Sequence, residues 1–168
     1  MLLADGRAAP AAAADEGAGA ASAAADAARC SELRSQGNLT LALFHCTRAV
    51  ASGRLAGDDL AATLNLRGGI YLQEGAYGRA TDDFSKAIIL RPRDAAAFNR
   101  RAMAYRRQGE SARAIADTER ALELSDPAEV RRVQAYLRSR GRYAGPLDGA
   151  YGPATRAALH ACIRQPDC

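Results

Sequence analysis

Apolar and polar positions along this chain repeat at two distances, one short and one long. In the middle of the sequence, Leu64-Asn65-Leu66-Arg67-Gly68-Gly69-Ile70-Tyr71 returns as Phe98-Asn99-Arg100-Arg101-Ala102-Met103-Ala104-Tyr105, an offset of 34 residues. The correspondence continues through Gly75/Gly109, Ala80/Ala114, Asp83/Asp117 and Ala87/Ala121, and closes at Pro92 and, one position late, Pro127. Each copy reads as two helices joined at its glycine. Small residues at Gly68, Ala80 and Ala87 let antiparallel helices approach, while Tyr71 and Phe84 fill the gaps between pairs. Pro92 cannot continue a helix and separates the copies. Further on, Val130, Val133, Tyr136 and Leu137 keep helical spacing. Gly141 stops that helix, Gly145-Pro146 and Asp148-Gly149 are turn pairs, and Pro153 opens a last helix where its missing N–H costs nothing. The pattern predicts an all-α protein.

Composition agrees and narrows the function. Of 168 residues, 48% are hydrophobic but only 5% aromatic, without Trp, so the core is built from Ala, Leu and a few Tyr, which suits close helix packing and argues against a β-sandwich. No run approaches the roughly 18 apolar residues of a membrane span. With two His and no CxxC pair, neither a metal site nor any other cofactor is expected. Charge is uneven: residues 1–28 sum to −3, 29–127 to +3 and 128–168 to +4. The basic end has no Lys/Arg run with interleaved aromatics, so nucleic acid is not the expected partner. No catalytic constellation assembles either. Gly68-Gly69 sits inside a helix rather than a phosphate loop, and His45 and Cys46, neighbours on a helix, point about 100° apart.

The 34-residue unit resembles the tetratricopeptide repeat: large, small and Tyr on its first helix, Gly at the turn, Ala, large and Ala on the second, Pro at the exit. A degenerate unit lies upstream, with Gly37 at the turn and Ala42 and Ala49 at the small positions. The expected organisation is an Ala-rich disordered leader or linker over 1–22, repeats over 23–59, 61–93 and 95–127, and a C-terminal module over 128–168. Ala18-Gly19-Ala20 and Ala21-Ser22-Ala23 look like signal-peptidase sites, without a basic or continuous apolar segment before them. The leader is therefore either the stump of a secretory signal or a plain linker. In this repeat family, five first-helix positions face the concave side. Here they are Ala62, Asn65, Gly69, Leu72 and Gln73, then Ala96, Asn99, Met103, Arg106 and Arg107, with Arg100 beside them. The resemblance implies a peptide or protein ligand there. Asn65 and Asn99 clamp its backbone or else serve as structural caps, and the arginines favour an acidic segment or a free carboxylate.

In the degenerate unit Cys30 falls at the small first-helix position and Cys46 at the large second-helix one. These face each other across the pair, close enough for a disulfide. Cys162 and Cys168 bracket a Pro-containing loop long enough to close. Two local pairs imply an oxidising compartment; the alternative is four reduced thiols in the cytosol.

Residues 124–163 read VQxxLxxxGxYxGPxDGxYGPxTRxAL at their centre, which resembles the small three-helix bacterial peptidoglycan-binding domain. The family's own first helix is not evident, and the last helix of the third repeat is a candidate to replace it. By resemblance the wall-contacting residues are Asp148, Gly149, Tyr151, Gly152, Thr155 and Arg156. For Asp148 and Tyr151 the alternative is turn capping and helix packing. Arg131, Arg132, Arg138, Arg140, Arg142 and Arg156 suit the carboxylates of peptidoglycan stems, or else form a solvated face. The expected protein is a non-enzymatic binder of the bacterial periplasm or envelope, with a protein ligand in the repeats and peptidoglycan at the C-terminal module. Other readings are a cytosolic scaffold with capping helices and an accessory subunit of a cell-wall hydrolase.

Overall fold

The computed structural model describes residues 11–165, and among them all regular structure is helical. The helices are α1 (Ala11–Ser35), α2 (Leu39–Ala51), α3 (Gly57–Gln73), α4 (Tyr77–Leu90), α5 (Ala95–Arg107), α6 (Ser111–Leu124), α7 (Pro127–Ser139) and α8 (Pro153–Ile163). They pack as antiparallel pairs, α1 on α2, α3 on α4 and α5 on α6, and the pairs stack so that α1 touches α3 and α3 touches α5. This is a short helical solenoid of the tetratricopeptide type.

Each pair is closed by the same turn. Gly37, Gly75 and Gly109 have φ of 76°, 76° and 78°, left-handed values that a side chain strains. The amides beyond them, of Asn38, Ala76 and Glu110, return to the carbonyls of Leu33, Tyr71 and Tyr105 at 2.8–2.9 Å. That bond satisfies a helix-end carbonyl and reverses the chain. Asn38, Asp94 and Asp126 cap α2, α5 and α7 by accepting from the amides of Leu41, Ala97 and Glu129.

Inside the pairs, one slot is filled three ways. Gly68 of α3 has no side chain because a Cβ there would meet the Phe84 ring at 2.9 Å. The same slot holds Ala102 and Thr118 in the third pair. In the first it holds Cys30 and Cys46, joined as a disulfide with Cα atoms 5.2 Å apart. A second contact recurs with the repeat: Arg67 lays its guanidinium on Asp83 through two bonds of 2.7 Å, and Arg101 on Asp117 through bonds of 2.7 and 2.8 Å. The first pair lacks it. His45 stands at the carboxylate's position there and meets Asp26 of α1 at 2.8 Å instead.

Two expectations need correction. The leader expected to be disordered to residue 22 is helical from Ala11, because alanine has the best intrinsic helix propensity; residues 1–10 lie outside the described residues. Helix α3 begins at Gly57, one turn ahead of the expected boundary, with Asp58 and Asp59 placed to favour a helix N-terminus. The second cysteine pair involves Cys168, which also lies outside the described residues.

The solenoid and the C-terminal module have no seam between them. Ala114, Ile115 and Leu122 of α6, Val130 and Leu137 of α7, Tyr143 of the loop, and Ala158, Leu159, Cys162 and Ile163 of α8 form one buried cluster. Helix α6 therefore serves twice, as second helix of the third repeat and as a packing partner of α7 and α8.

Candidate functional site

The first candidate surface runs along α3 and α5. Asn65 is buried, and its Nδ2 donates to Asp94 Oδ2, the carboxylate that caps α5, at 3.0 Å. Its Oδ1 is buried with no partner. Asn65 thus ties one repeat to the next. Asn99, at the equivalent position, is half-buried, as is Arg100. Gln73, Met103, Arg106 and Arg107 are exposed. Among the described residues no carboxylate pairs with Arg100, Arg106 or Arg107, whereas Arg101, on the next face of α5, is locked to Asp117. The two kinds of arginine are sorted by whether a repeat partner lies within reach, leaving α5 with an uncompensated positive face.

The second candidate surface is the loop between α7 and α8. At its centre lies the Gln134 side chain, fully buried, whose amide works in both directions. Its Nε2 lies 2.8 Å from Asp148 Oδ1, 3.1 Å from the Ala150 carbonyl and 3.2 Å from Thr155 Oγ1, and its Oε1 accepts from the Gly149 amide at 3.0 Å. Gly149 has φ of 77°, and a Cβ there would strike the Pro127 carbonyl oxygen at 2.5 Å, so this residue must be glycine twice over. Asp148 accepts from the Ala150 amide and from Gln134, and these bonds hold its carboxyl below the ordinary aspartate value. Thr155 is buried and bonded to the Ala150 carbonyl at 3.3 Å, inside the loop rather than on its rim. Gly152 caps α8 in extended backbone.

Tyr151 and Arg156 reach back to the solenoid. Glu119 of α6 accepts from the Tyr151 hydroxyl at 3.1 Å and from Arg156 Nε at 3.0 Å, and the same oxygen lies 2.9 Å from His160 Nε2. The Arg156 guanidinium also stands over the Tyr151 ring. Burial, opposed in part by Arg156, pushes the Tyr151 hydroxyl up to about 12. Burial opposes the Glu119 charge, yet the hydrogen bonds from His160 and Tyr151 and the charges of His160 and Arg156 outweigh it, so its carboxyl ends below the usual value. Of the other C-terminal arginines, Arg132 pairs with Glu129 and Arg138 donates to the Gly145 carbonyl, while Arg131 and Arg140 are exposed.

Gln134, Glu119 and His160 were not singled out from sequence. Gln134 stands inside the VQxxL pattern. Glu119 and His160 are 41 residues apart and meet only because α8 folds onto α6. Among the described residues no His/Cys/Asp/Glu group is arranged to hold a metal, and no helix is long and apolar enough to cross a membrane.

Comparison with known proteins fits this division. Residues 95–127 match the tetratricopeptide repeat family, and residues 126–161 match the family described as "Putative peptidoglycan binding domain". The chain is a tetratricopeptide-repeat protein with a peptidoglycan-binding-like domain. It is similar to human and bovine tetratricopeptide repeat protein 36, each 45% identical over 62 residues, a stretch covering 37% of this chain and 33% of the relative. The likeness to these relatives is thus confined to a third of their length.

Proposed function

We propose that this protein is a non-enzymatic binder of the bacterial cell envelope that holds a protein or peptide on its repeats and attaches to peptidoglycan through its C-terminal module. The observation that carries the reading is the union of the two in one core: the two family matches abut, and α6, which lies within the repeat match, also packs against α7 and α8. Such an arrangement tethers whatever the repeats bind to whatever the module binds. The unpaired arginines on α5 favour an acidic partner segment. With three repeats the groove is shallow, and micromolar affinity, about −8 kcal/mol, is expected. Periplasmic or secreted placement rests on the Cys30–Cys46 disulfide and the wall-binding resemblance; the vertebrate relatives carry no information on compartment. In this reading Asp148, Gly149, Tyr151, Gly152 and Arg156 form the wall-facing rim, and Thr155 holds it from behind.

Co-sedimentation with purified sacculi tests the wall half. The parent should pellet, Arg156→Gln should pellet less, and Glu119→Gln, which loosens the same contact while leaving the arginine, should pellet at least as well as the parent. A parent that stays in the supernatant removes the wall half. A pull-down comparing the parent with Asn99→Ala/Arg106→Ala tests the repeat half, and partners retained undiminished by the variant would place binding elsewhere.

A further inference from the structure

The second helices of the repeats carry a feature that neither reading uses. Arg48 of α2, Lys86 of α4 and Arg120 of α6 stand at one repeat position, each just before the small residue Ala49, Ala87 or Ala121. Two of these cations have a carboxylate. Arg48 lies 3.2 Å from Asp26, and Arg120 lies 3.1 Å from Glu123, one turn along its own helix. Lys86, the chain's single lysine, pairs with none among the described residues, and Ile89 stands where the next repeat has Glu123. Ile89 is 78% exposed. It opens onto a cleft of about 290 Å³ that Lys86, Ile89 and Leu90 of α4 share with Val50 of α2 and Leu60 and Leu64 of α3. Leu64 is buried and forms the floor. In the next repeat Asp94, which caps α5, takes the place of Leu60. Beyond Leu90, Arg91 is held by Asp58 at 3.5 Å, whereas Arg93 is exposed and unpaired among the described residues.

We infer that this cleft docks an acidic segment of a partner protein through one branched aliphatic side chain. The cleft is smaller than the usual site of a whole small molecule, and its lining of Val50, Leu60, Leu64, Ile89 and Leu90 suits a single aliphatic residue presented from a longer chain. The charge around it sets the flanks of that residue. Lys86 at the rim and Arg93 beyond Leu90 have no carboxylate of this chain to answer, so they complement Asp or Glu beside the anchor. A lone exposed isoleucine is ordinary on a protein surface. Here the isoleucine displaces a repeat carboxylate, frees the cation beside it and continues into an apolar cleft, three changes that meet at one spot. The cleft is built on second helices, with α3 as its floor, and uses none of the first-helix groove positions. It holds whether or not the arginines of α5 bind a ligand.

The test is methyl NMR of the full chain, following Ile89 and Leu90 at the cleft and Met103 on α5. The probe is the acetylated, amidated peptide Ala-Glu-Ala-Leu-Ala-Glu-Ala, with two controls: glutamine for both glutamates, and alanine for the leucine. The probe should shift the Ile89 and Leu90 signals saturably, and each control should bind about tenfold more weakly. Ile89→Glu, which rebuilds the ionic pair of the next repeat at an exposed position, should lose binding by a similar factor with unchanged helical circular dichroism. Lys86→Gln should weaken binding and remove most of its salt dependence. Asn99→Ala/Arg106→Ala should leave the Ile89 and Leu90 shifts as they are in the parent. Equal shifts from either control, no shift from the probe, or undiminished binding by Ile89→Glu would overturn the assignment. Shifts of Met103 alone would also overturn it, by moving the acidic segment to α5. Ile89 and Leu90 signals that move with protein concentration alone, or with phosphatidylglycerol vesicles but not with the probe, would give the face to a second copy or to a lipid surface instead.

Discussion

Arg67 and Asp83 show what the repeat requires of single residues. Their side chains are 13% and 3% exposed, so each charge depends on the other for solvation. Arg67→Ala leaves Asp83 charged, buried and unpaired, and should destabilise by about 3–5 kcal/mol; Arg67→Met/Asp83→Leu should recover most of that. Urea denaturation checks both, and a single variant within 1 kcal/mol of the parent (about a fivefold change in equilibrium) would show the pair to be solvated after all. Glu119 gives a pH dependence with a definite sign. Its carboxyl sits below the ordinary glutamate value in the folded state, so its contribution is complete above about pH 4.3 and is lost as pH falls through the lowered folded value. Glu119→Gln should flatten the acid limb of the melting-temperature profile, by about 1 kcal/mol or less because the group is a quarter exposed. An unchanged acid limb would remove Glu119 as its source. At this scale the sequence was only partly legible. Asn65 and Asn99 were recognisable as a repeated pair, but that Asn65 bonds the cap of α5, the first helix of the next repeat, depends on stacking geometry, which no spacing encodes. Gln134 is a polar residue on a helical stripe, and its burial follows from the loop that wraps around it.

Among the elements, α1 and α2 deviate most from the repeat. They lack the arginine–aspartate fork, and the place of the small and large residues is taken by Cys30–Cys46. A crosslink at a separation of 16 residues should contribute about 3 kcal/mol by restricting the unfolded chain. Reduction, or Cys46→Ser, should therefore lower the melting temperature and expose residues 20–55 to protease before the other repeats. Protection of that segment equal to that of α3–α6 after reduction would show that packing of Leu33, Ala42 and Ile70 already holds it. The helix pairs were legible because the 34-residue offset repeats the turn glycine, the small residues and the ionic pair together, so several independent signals fall in register. Helix starts were less so. Alanine-rich sequence is compatible with both disorder and helix, and α1 is helical from Ala11. The start of α3 was hidden for a related reason, since Gly57 and two aspartates read equally well as a loop or as a first turn.

For the molecule as a whole, the shared helix decides how the parts behave when separated. The region matched by the peptidoglycan-binding family, residues 126–161, contains α7, the loop and most of α8 but not α6. Two short helices and a loop leave Leu137, Leu159 and Ile163 without the surface of Ala114, Ile115 and Leu122 that covers them in the intact chain. They also lose Glu119, to which Tyr151, Arg156 and His160 converge. About forty residues seldom bury enough apolar area to fold alone. The fragment 126–168 should accordingly give a largely unfolded circular-dichroism spectrum and no cooperative melt. The fragment 95–168, which restores α5 and α6, should melt cooperatively. The reciprocal truncation, 11–125, should lose stability at its last repeat first, because removal of α7 and α8 exposes Ile115 and Leu122 on α6. Hydrogen exchange resolves this by element: α6 amides should exchange faster in 11–125 than in the full chain, while those of α2 and α3 stay as they were. A fragment 126–168 that folds cooperatively, with α6 equally protected in both chains, would mean that the module carries its own core and that α6 belongs to the solenoid alone.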